Sequence, residues 1–231
     1  MNPILLAARA AAIFHEGQTR KYDGSPYIVH PGRVAARMSV HPKGTEAVVC
    51  AAWLHDVIED CRVSVGQIAN VFQPPAGPNA DCSEPYTVFG TKVADLVWEL
   101  TNPSKKFPSF SRDDRKAIDR AHIVSVSQEA KMIKLADRTD NLRDVKGAPT
   151  SFIVTYFKES ILLLDALRTG HGTIPGGTVD EELEREFKDA LAALKSYIPL
   201  STFVEHAKKF ASDLPDRVPP FPFSSKSRSR E

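Results

Sequence analysis

The stretch Ala52-Trp53-Leu54-His55-Asp56-Val57-Ile58-Glu59-Asp60-Cys61 sets one histidine and three carboxylates in an otherwise apolar run. Ionised carboxylates seldom enter such segments unless they are paired or bind a metal. An imidazole nitrogen beside a carboxylate oxygen suits a divalent transition metal such as manganese, iron or zinc. Continued as one helix, the stretch puts His55 and Glu59, and also Asp56 and Asp60, at i,i+4 on one broad flank. An exposed acidic helix end would read the same way, and a single His-Asp pair is weak on its own.

A second place breaks the apolar pattern in the same manner. Between Glu129 and Asp144, the stripe begun by Ala130 and Ile133 continues at Asp137 and Asn141, while Met132, Leu135 and Leu142 form another apolar flank. A polar group left without a partner on a core-facing stripe costs about 1–3 kcal/mol. Asp137 is therefore either half of a buried ion pair with Arg138 or Arg143, or a metal carboxylate. A third element is His30, directly before Pro31, which biases it toward an extended backbone. His30, His55, Asp56 and Asp137 together make a set of two nitrogens and two oxygens, with positions left for water and substrate. A metal there would lower the pKa of water toward neutrality and so supply a nucleophile. Glu59 or Asp60, one turn further on, could orient or deprotonate that water. No Walker-type loop, G-x-S-x-G or paired C-x-x-C competes.

The elements that must carry these residues are helical nearly throughout. Asn2-Pro3 reads as an N-cap and first helical position, with the helix running to about Glu16 and Gly17 ending it. Pro31 is expected to open a short helix through Met38. Thr45 caps the next helix, which is expected to carry the opening stretch to Asp60. Ser64-Val65-Gly66-Gln67 has the spacing of a capping box. Residues 73–86, rich in proline and glycine, read as a surface loop. Val93, Leu96, Val97 and Leu100 recur at helical spacing. Residues 102–110 read as a loop, and helices are expected over 112–125, 128–146, 151–169, 180–197 and 202–212, with Gly170 as a C-cap. Lys134 and Arg138, at i,i+4, read as a solvated helix face. The expected fold is all-α: one domain over 1–212, followed by a disordered basic tail over 213–231.

Composition bounds the function. The chain has 231 residues, a net charge of +1 and a hydrophobic fraction of 42%, which suits a globular domain and gives no broad footprint for nucleic acid. Residues 4–13 are too short for a membrane span and are interrupted by Arg9, so no membrane association is expected. Cys50, Cys61 and Cys82 give no disulfide framework and suggest a reduced, cytoplasmic setting.

With these motifs in order, the chain resembles the HD-domain metal-dependent phosphohydrolases, and more closely the hydrolase domain of the Rel/Spo alarmone enzymes. HEGQTRKYDGSPYIVHPGRVA, AAWLHDVIED, FGTKVADLVWELT and IKLADRTDNLRD look like successive segments of that domain, over residues 5–170. Its length matches the stand-alone small alarmone hydrolases. The resemblance implies that His30, His55, Asp56 and Asp137 bind one manganese ion and that Glu59 and Asp60 activate and place water. It implies that Arg20, Lys21, Asn141 and Tyr156 contact the nucleotide. Without it, Arg20 and Lys21 would read as a solvated loop pair, and Tyr156 as ordinary packing. The implied reaction removes the 3′-pyrophosphate from guanosine tetra- or pentaphosphate. Alternatives are another nucleotide phosphate (an adenosine alarmone, or the 2′-phosphate of NADPH) and a non-catalytic nucleotide sensor. One departure stands out: the family pattern DRLHN or DKLYN reads DRTDN here, so Asp140 adds a negative charge near the expected metal.

Overall fold

The computed structural model describes residues 2–73, 84–169, 179–199 and 201–202. Helix α1 (Pro3–Phe14) begins where Asn2 accepts from the Ile4 and Leu5 amides, and Pro3 takes the first helical position. Gly17, at φ 75°, turns the chain after it. Helix α2 (Val29–Ser39) starts two residues earlier than expected, with Pro31 inside its first turn. His30 is therefore helical rather than extended. Its amide bonds to the Tyr27 carbonyl at 2.9 Å, a local turn that outweighs the pre-proline bias.

Helix α3 (Glu46–Leu54) is capped by Thr45 and buries Ala47, Val48, Val49, Cys50, Ala51, Ala52 and Leu54. A helix apolar on nearly every side belongs in the centre of a core, and α3 packs against α1, α2, α6 (Glu84–Leu100) and α8 (Gln128–Asp144). Gly32 is the close-approach point between α2 and α3: a Cβ there would stand 3.1 Å from the Trp53 ring. Contrary to expectation, α3 ends at Leu54, and a separate turn of helix, α4 (Val57–Cys61), follows.

Ser64 and Gln67 form the reciprocal capping box that opens α5 (Val65–Asn70). Helix α5 lies against α6, where a Cβ on Gly90 would come within 2.4 Å of the Ala69 carbonyl oxygen. The expected loop over 73–86 is shorter at its end, since residues 84–86 already belong to α6. Its segment 74–83 lies outside the described residues, as do Cys82, Gly170 and everything beyond residue 202.

The chain continues through α7 (Arg112–Ser125), α8, α9 (Thr150–Arg168) and α10 (Glu181–Lys195), with 3-10 turns at Pro103–Lys106 and Val145–Gly147. Ser111, Ser127 and Asp180 cap α7, α8 and α10. Helix α8 packs on α2, α6 and α10, and α7 on α9. Among the described residues there is no strand, only an isolated bridge between Thr19 and Pro26, so the all-α expectation holds. The described residues up to Tyr197 form one compact unit. No described helix is long and apolar enough to cross a membrane.

Candidate active site

Four side chains from three places in the sequence meet where α2, α3 and α8 converge. His30 is fully buried on α2, and His55 and Asp56 form the junction between α3 and α4. Asp137 sits on the buried side of α8. The Nε2 atoms of His30 and His55 face each other at 3.2 Å. Asp56 Oδ2 lies 3.0 Å from His55 Nε2 and 3.6 Å from His30 Nε2. Asp137 Oδ1 lies 3.3 Å and 3.7 Å from the same two nitrogens. Among the described residues, His30, His55 and Asp56 form a cluster whose ligand atoms all lie within 4.8 Å of one another. Asp137 joins it through its two histidine distances.

The junction has a local cause. In a continuing helix the Ala52 carbonyl would take the amide of Asp56. Here it accepts from His55 Nδ1 at 2.8 Å, so the imidazole folds back on its own helix at its last turn. The i,i+4 placement of His55 with Glu59 on one continuous helix is therefore replaced by a corner, with Asp56 as the N-cap of α4. The corner aims His55 and Asp56 inward while Asp60 stays half-exposed.

The hydrogen bonds decide which nitrogens carry protons. His30 Nδ1 is 2.7 Å from Asp140 Oδ2 and must donate to it, just as His55 Nδ1 donates to the Ala52 carbonyl. In the neutral imidazoles both Nε2 atoms are then lone pairs. They point at each other and at two carboxylate oxygens, with no proton between them. Only a cation relieves that arrangement. Burial opposes protonation of His30 and His55, yet Asp137 and Asp140 for the one, and Asp56 and Asp137 for the other, raise both pKa values. Ligand atoms about 2.0–2.2 Å from one ion and at right angles to each other stand about 3 Å apart, which these separations approach. The donor set fits a divalent metal.

Around this set the buried charges are all paired. Asp137 Oδ2 pairs with Lys134 at 3.0 Å, and Asn141 Nδ2 donates to Asp137 Oδ1 at 2.5 Å. Neither Arg138 nor Arg143 is the partner. Lys134 is not a solvated residue either: its side chain is 12% exposed. Burial works against its ammonium, but the Asp137 carboxylate raises its pKa. Asp137 is likewise opposed by burial but held well below the usual carboxylate range by Lys134 and the two histidines. Asp140, the departure from the family pattern, accepts from Arg33 Nε at 2.6 Å and Arg33 Nη2 at 2.9 Å as well as from His30. Thr139 satisfies its hydroxyl on the Leu135 carbonyl.

Glu59 and Asp60 stand beside the cluster. Glu59 Oε1 accepts from the amide and the side chain of Asn102 at 2.7 and 2.8 Å. Lys105 Nζ lies 3.5 Å from Glu59 Oε2 and 3.6 Å from Asp60 Oδ1. The Tyr27 hydroxyl donates to Asp56 Oδ2 at 2.6 Å and lies 3.2 Å from Asp60 Oδ2. Arg20 turns inward, donating to Asn141 Oδ1 at 2.7 Å and to Asp144 at 2.9 Å. Lys21 is exposed, over the rings of Tyr22 and Phe152. Tyr156 stacks on Phe152 and lies under the Arg138 guanidinium, 4.5 Å from its ring centre.

Sequence reasoning passed over Tyr27, Arg33, Asn102, Lys105 and the inward role of Lys134. Arg33, three residues after His30, and Lys134, three before Asp137, carried a signal in their helical spacing. Asn102 and Lys105 lie in a stretch that the sequence reads as a loop with no periodicity, and the structure makes Asn102 the cap of a 3-10 turn that holds Lys105.

The geometry agrees with comparisons to known proteins. The HD domain family matches residues 7–174. The chain is 34% identical over 184 residues to the guanosine-3′,5′-bis(diphosphate) 3′-pyrophosphohydrolase MESH1 of Xenopus tropicalis, covering 77% of this chain and 90% of that one. It is 36% identical over 145 residues to the human protein of that name, covering 62% and 69%. Its fold is similar to a solved structure described as a metazoan ortholog of SpoT that hydrolyzes ppGpp and plays a role in starvation responses. That similarity has a TM-score of 0.64 and 28% identity, over 84% of this chain and 96% of the other. With the family match over most of the chain and 34% identity to a relative covered to 90%, the chain belongs to the HD-domain family, in the branch that holds the MESH1 pyrophosphohydrolases.

Proposed function

We propose that this protein is a manganese-dependent hydrolase that removes the 3′-pyrophosphate from guanosine tetra- and pentaphosphate, giving GDP or GTP and pyrophosphate. The observation that carries the reading is the convergence of two histidine Nε2 atoms and two carboxylate oxygens on one point. His30, His55, Asp56 and Asp137 would hold the ion. When bound, a divalent ion supplies an activated water and neutralises charge on the phosphoryl oxygens.

The chain's own groups account for the rest. Glu59 Oε1 is occupied by Asn102, so Oε2 is the atom left to take a proton from the attacking water. Asp60 orients that water, and Lys105 balances the charge of the acid pair. The water oxygen bonds to the 3′-phosphorus as the bond from phosphorus to the ribose 3′-oxygen breaks. The 3′-oxygen leaves as a hydroxyl once it gains a proton. Arg20, Asn141, Lys21 and Tyr156 hold the nucleotide, the last two on the aromatic surface with Phe152.

The test is to incubate the purified protein with manganese and guanosine tetraphosphate, adenosine tetraphosphate or NADPH, and separate the products. GDP and pyrophosphate are expected from the guanosine substrate. Absence of turnover with the metal bound would overturn the reading in favour of a nucleotide sensor. Preference for another nucleotide would move the substrate but keep the chemistry.

A further inference from the structure

Side chains of this protein join Arg20 to three of the four proposed ligand residues. Asn141 accepts from Arg20 Nη2 at 2.7 Å and itself donates to Asp137. The Arg20 guanidinium lies over the Tyr27 ring, 5.5 Å from its centre, and the Tyr27 hydroxyl donates to Asp56. The third route is the longest. Arg20 Nη2 donates to Asp144 Oδ2 at 2.9 Å, and Arg33 Nη2 donates to that same oxygen at 2.6 Å. The Arg33 fork also holds Asp140, which accepts from His30. We infer that Arg33 is a positioning residue that ties the nucleotide contact Arg20 to the metal ligand His30, so that ion and nucleotide each tighten the binding of the other. The inference rests on the proposed hydrolase reading, which puts the ion on His30 and the nucleotide on Arg20, and deepens it.

The chemistry of the link is the first argument. Asp140 and Asp144 stand one turn apart on α8, and like charges at i,i+4 repel. Arg33, on α2, bonds both. Its Nε lies 2.6 Å from Asp140 Oδ1, and its Nη2 lies 2.9 Å from Asp140 Oδ2 and 2.6 Å from Asp144 Oδ2. A planar guanidinium fixes the angle of the carboxylates it holds, which a lysine ammonium, as a point charge, does not. Because Asp144 Oδ2 is shared by two arginines, a shift of Arg33 is a shift of the acceptor on which Arg20 rests. The link also falls where the sequence leaves the family pattern: DRTDN supplies the Asp140 that Arg33 holds.

Burial is the second argument. The side chains of Asp140, Arg20 and Asp144 are 9%, 12% and 18% exposed. Charged hydrogen bonds so placed resist being re-aimed, because each one broken leaves a buried charge unpaired. A change in the set of His30 is then passed along the chain of partners rather than absorbed by water. Such coupling is reciprocal: the factor by which the ion improves nucleotide affinity is the factor by which the nucleotide improves ion affinity. An ion-pair network that only clamps α2 onto α8 would use the same residues and give no coupling. Arg37, one turn further along α2, is a clamp of that kind, paired with Glu182 and Glu186 of α10 at 2.9 and 2.8 Å.

The experiment measures the manganese affinity of the full chain, by paramagnetic resonance of the free ion, with and without saturating guanosine 5′-monophosphate. That probe has no 3′-phosphate to reach the ion, and a single phosphate chelates manganese weakly. The titration is repeated with Arg33→Gln, with Asp144→Asn, which cuts the link at its other end, and with Arg37→Gln as the clamp control. Circular dichroism checks that each variant is folded, and Asp144→Asn carries the decision if Arg33→Gln is not. In the wild type and in Arg37→Gln the nucleotide is expected to tighten manganese binding about fivefold or more. In Arg33→Gln and Asp144→Asn the tightening is expected to fall below about twofold. No tightening in the wild type overturns the inference. So does equal tightening in Arg33→Gln and wild type, or an equal loss in Arg37→Gln, either of which leaves Arg33 a clamp. The readout needs no turnover. Coupling lost in Arg33→Gln alone, in a protein that cleaves no guanosine tetraphosphate, would sink the hydrolase reading and keep the link. Cleavage with coupling unchanged in the variants would do the reverse.

Discussion

Asp140 shows how one side chain sets the chemistry of another. Its carboxylate is held by both nitrogens of the Arg33 fork and passes that order to His30, fixing the Nδ1 proton and leaving Nε2 as the donor atom. Read in the sequence, Asp140 was an extra negative charge of unknown effect. In the folded protein it orients a ligand. Second partners of this kind typically contribute 10- to 100-fold in metal affinity. Asp140→Ala should therefore weaken manganese binding by about that factor in a competition titration against a chelator, with helicity retained. Asp137→Asn, which keeps the shape but removes the charge facing Lys134 and both histidines, should lose the ion altogether under the same conditions. Retention of tight binding by that variant would rule out Asp137 as a ligand.

At the scale of elements, caps and corners place the site more than helix propensity does. Helix α10 packs on α8 and starts at Asp180, whose side chain accepts from the Glu182 and Leu183 amides and pairs with His41 and Lys43. Loss of an Asp cap costs about 0.5–2 kcal/mol, so Asp180→Ala should lower stability by roughly that amount in denaturant unfolding at neutral pH. Burial would raise the Asp180 pKa, but Lys43, the Leu183 amide and His41 bring it down from 3.8 to about 2. A carboxyl depressed on folding stabilises fully above its unfolded value and loses that contribution as pH falls through its folded value. The gap between wild type and Asp180→Ala should therefore be constant above pH 5, then narrow between about pH 4 and pH 2. The corner between α3 and α4 is the other case. Its sequence reads as one continuous apolar helix, and only the turn of His55 onto Ala52 reveals the break.

For the molecule as a whole, α8 is an unusual core helix: Lys131, Asp137, Thr139 and Asp140 are buried on it among Ile133, Leu135 and Leu142. Paired buried charges are often no more stabilising than apolar residues of the same size. Their presence points to function, and it leaves the ion-free protein with a concentrated electrostatic cost at the meeting of α2, α3 and α8. An ion that binds only the folded state at 100 times its dissociation constant adds about 2.7 kcal/mol. Chelator treatment should therefore lower the thermal midpoint of the wild type by several degrees, and excess manganese should restore it. Asp137→Asn should show no such response. The same midpoint with and without chelator in the wild type would contradict a metal at this position.

The sequence by itself determined the helices, their caps and the order of the four motifs, because each depends on residues within about one turn of each other. It also singled out His55, Asp56 and Asp137, since polar groups in apolar runs are visible as breaks in the pattern, while His30 was marked only by its place before Pro31 and by the family resemblance. The tertiary structure decided what joins residues far apart in the chain: the meeting of His30 with Asp137 and Asp140, the inward turn of Arg20 onto Asn141, and the hold of Arg33 on Asp140 and Asp144. These contacts depend on how whole helices pack, which no local spacing encodes. The protonation states of the two histidines followed from the same packing, through partners a turn of helix away in one case and across the core in the other.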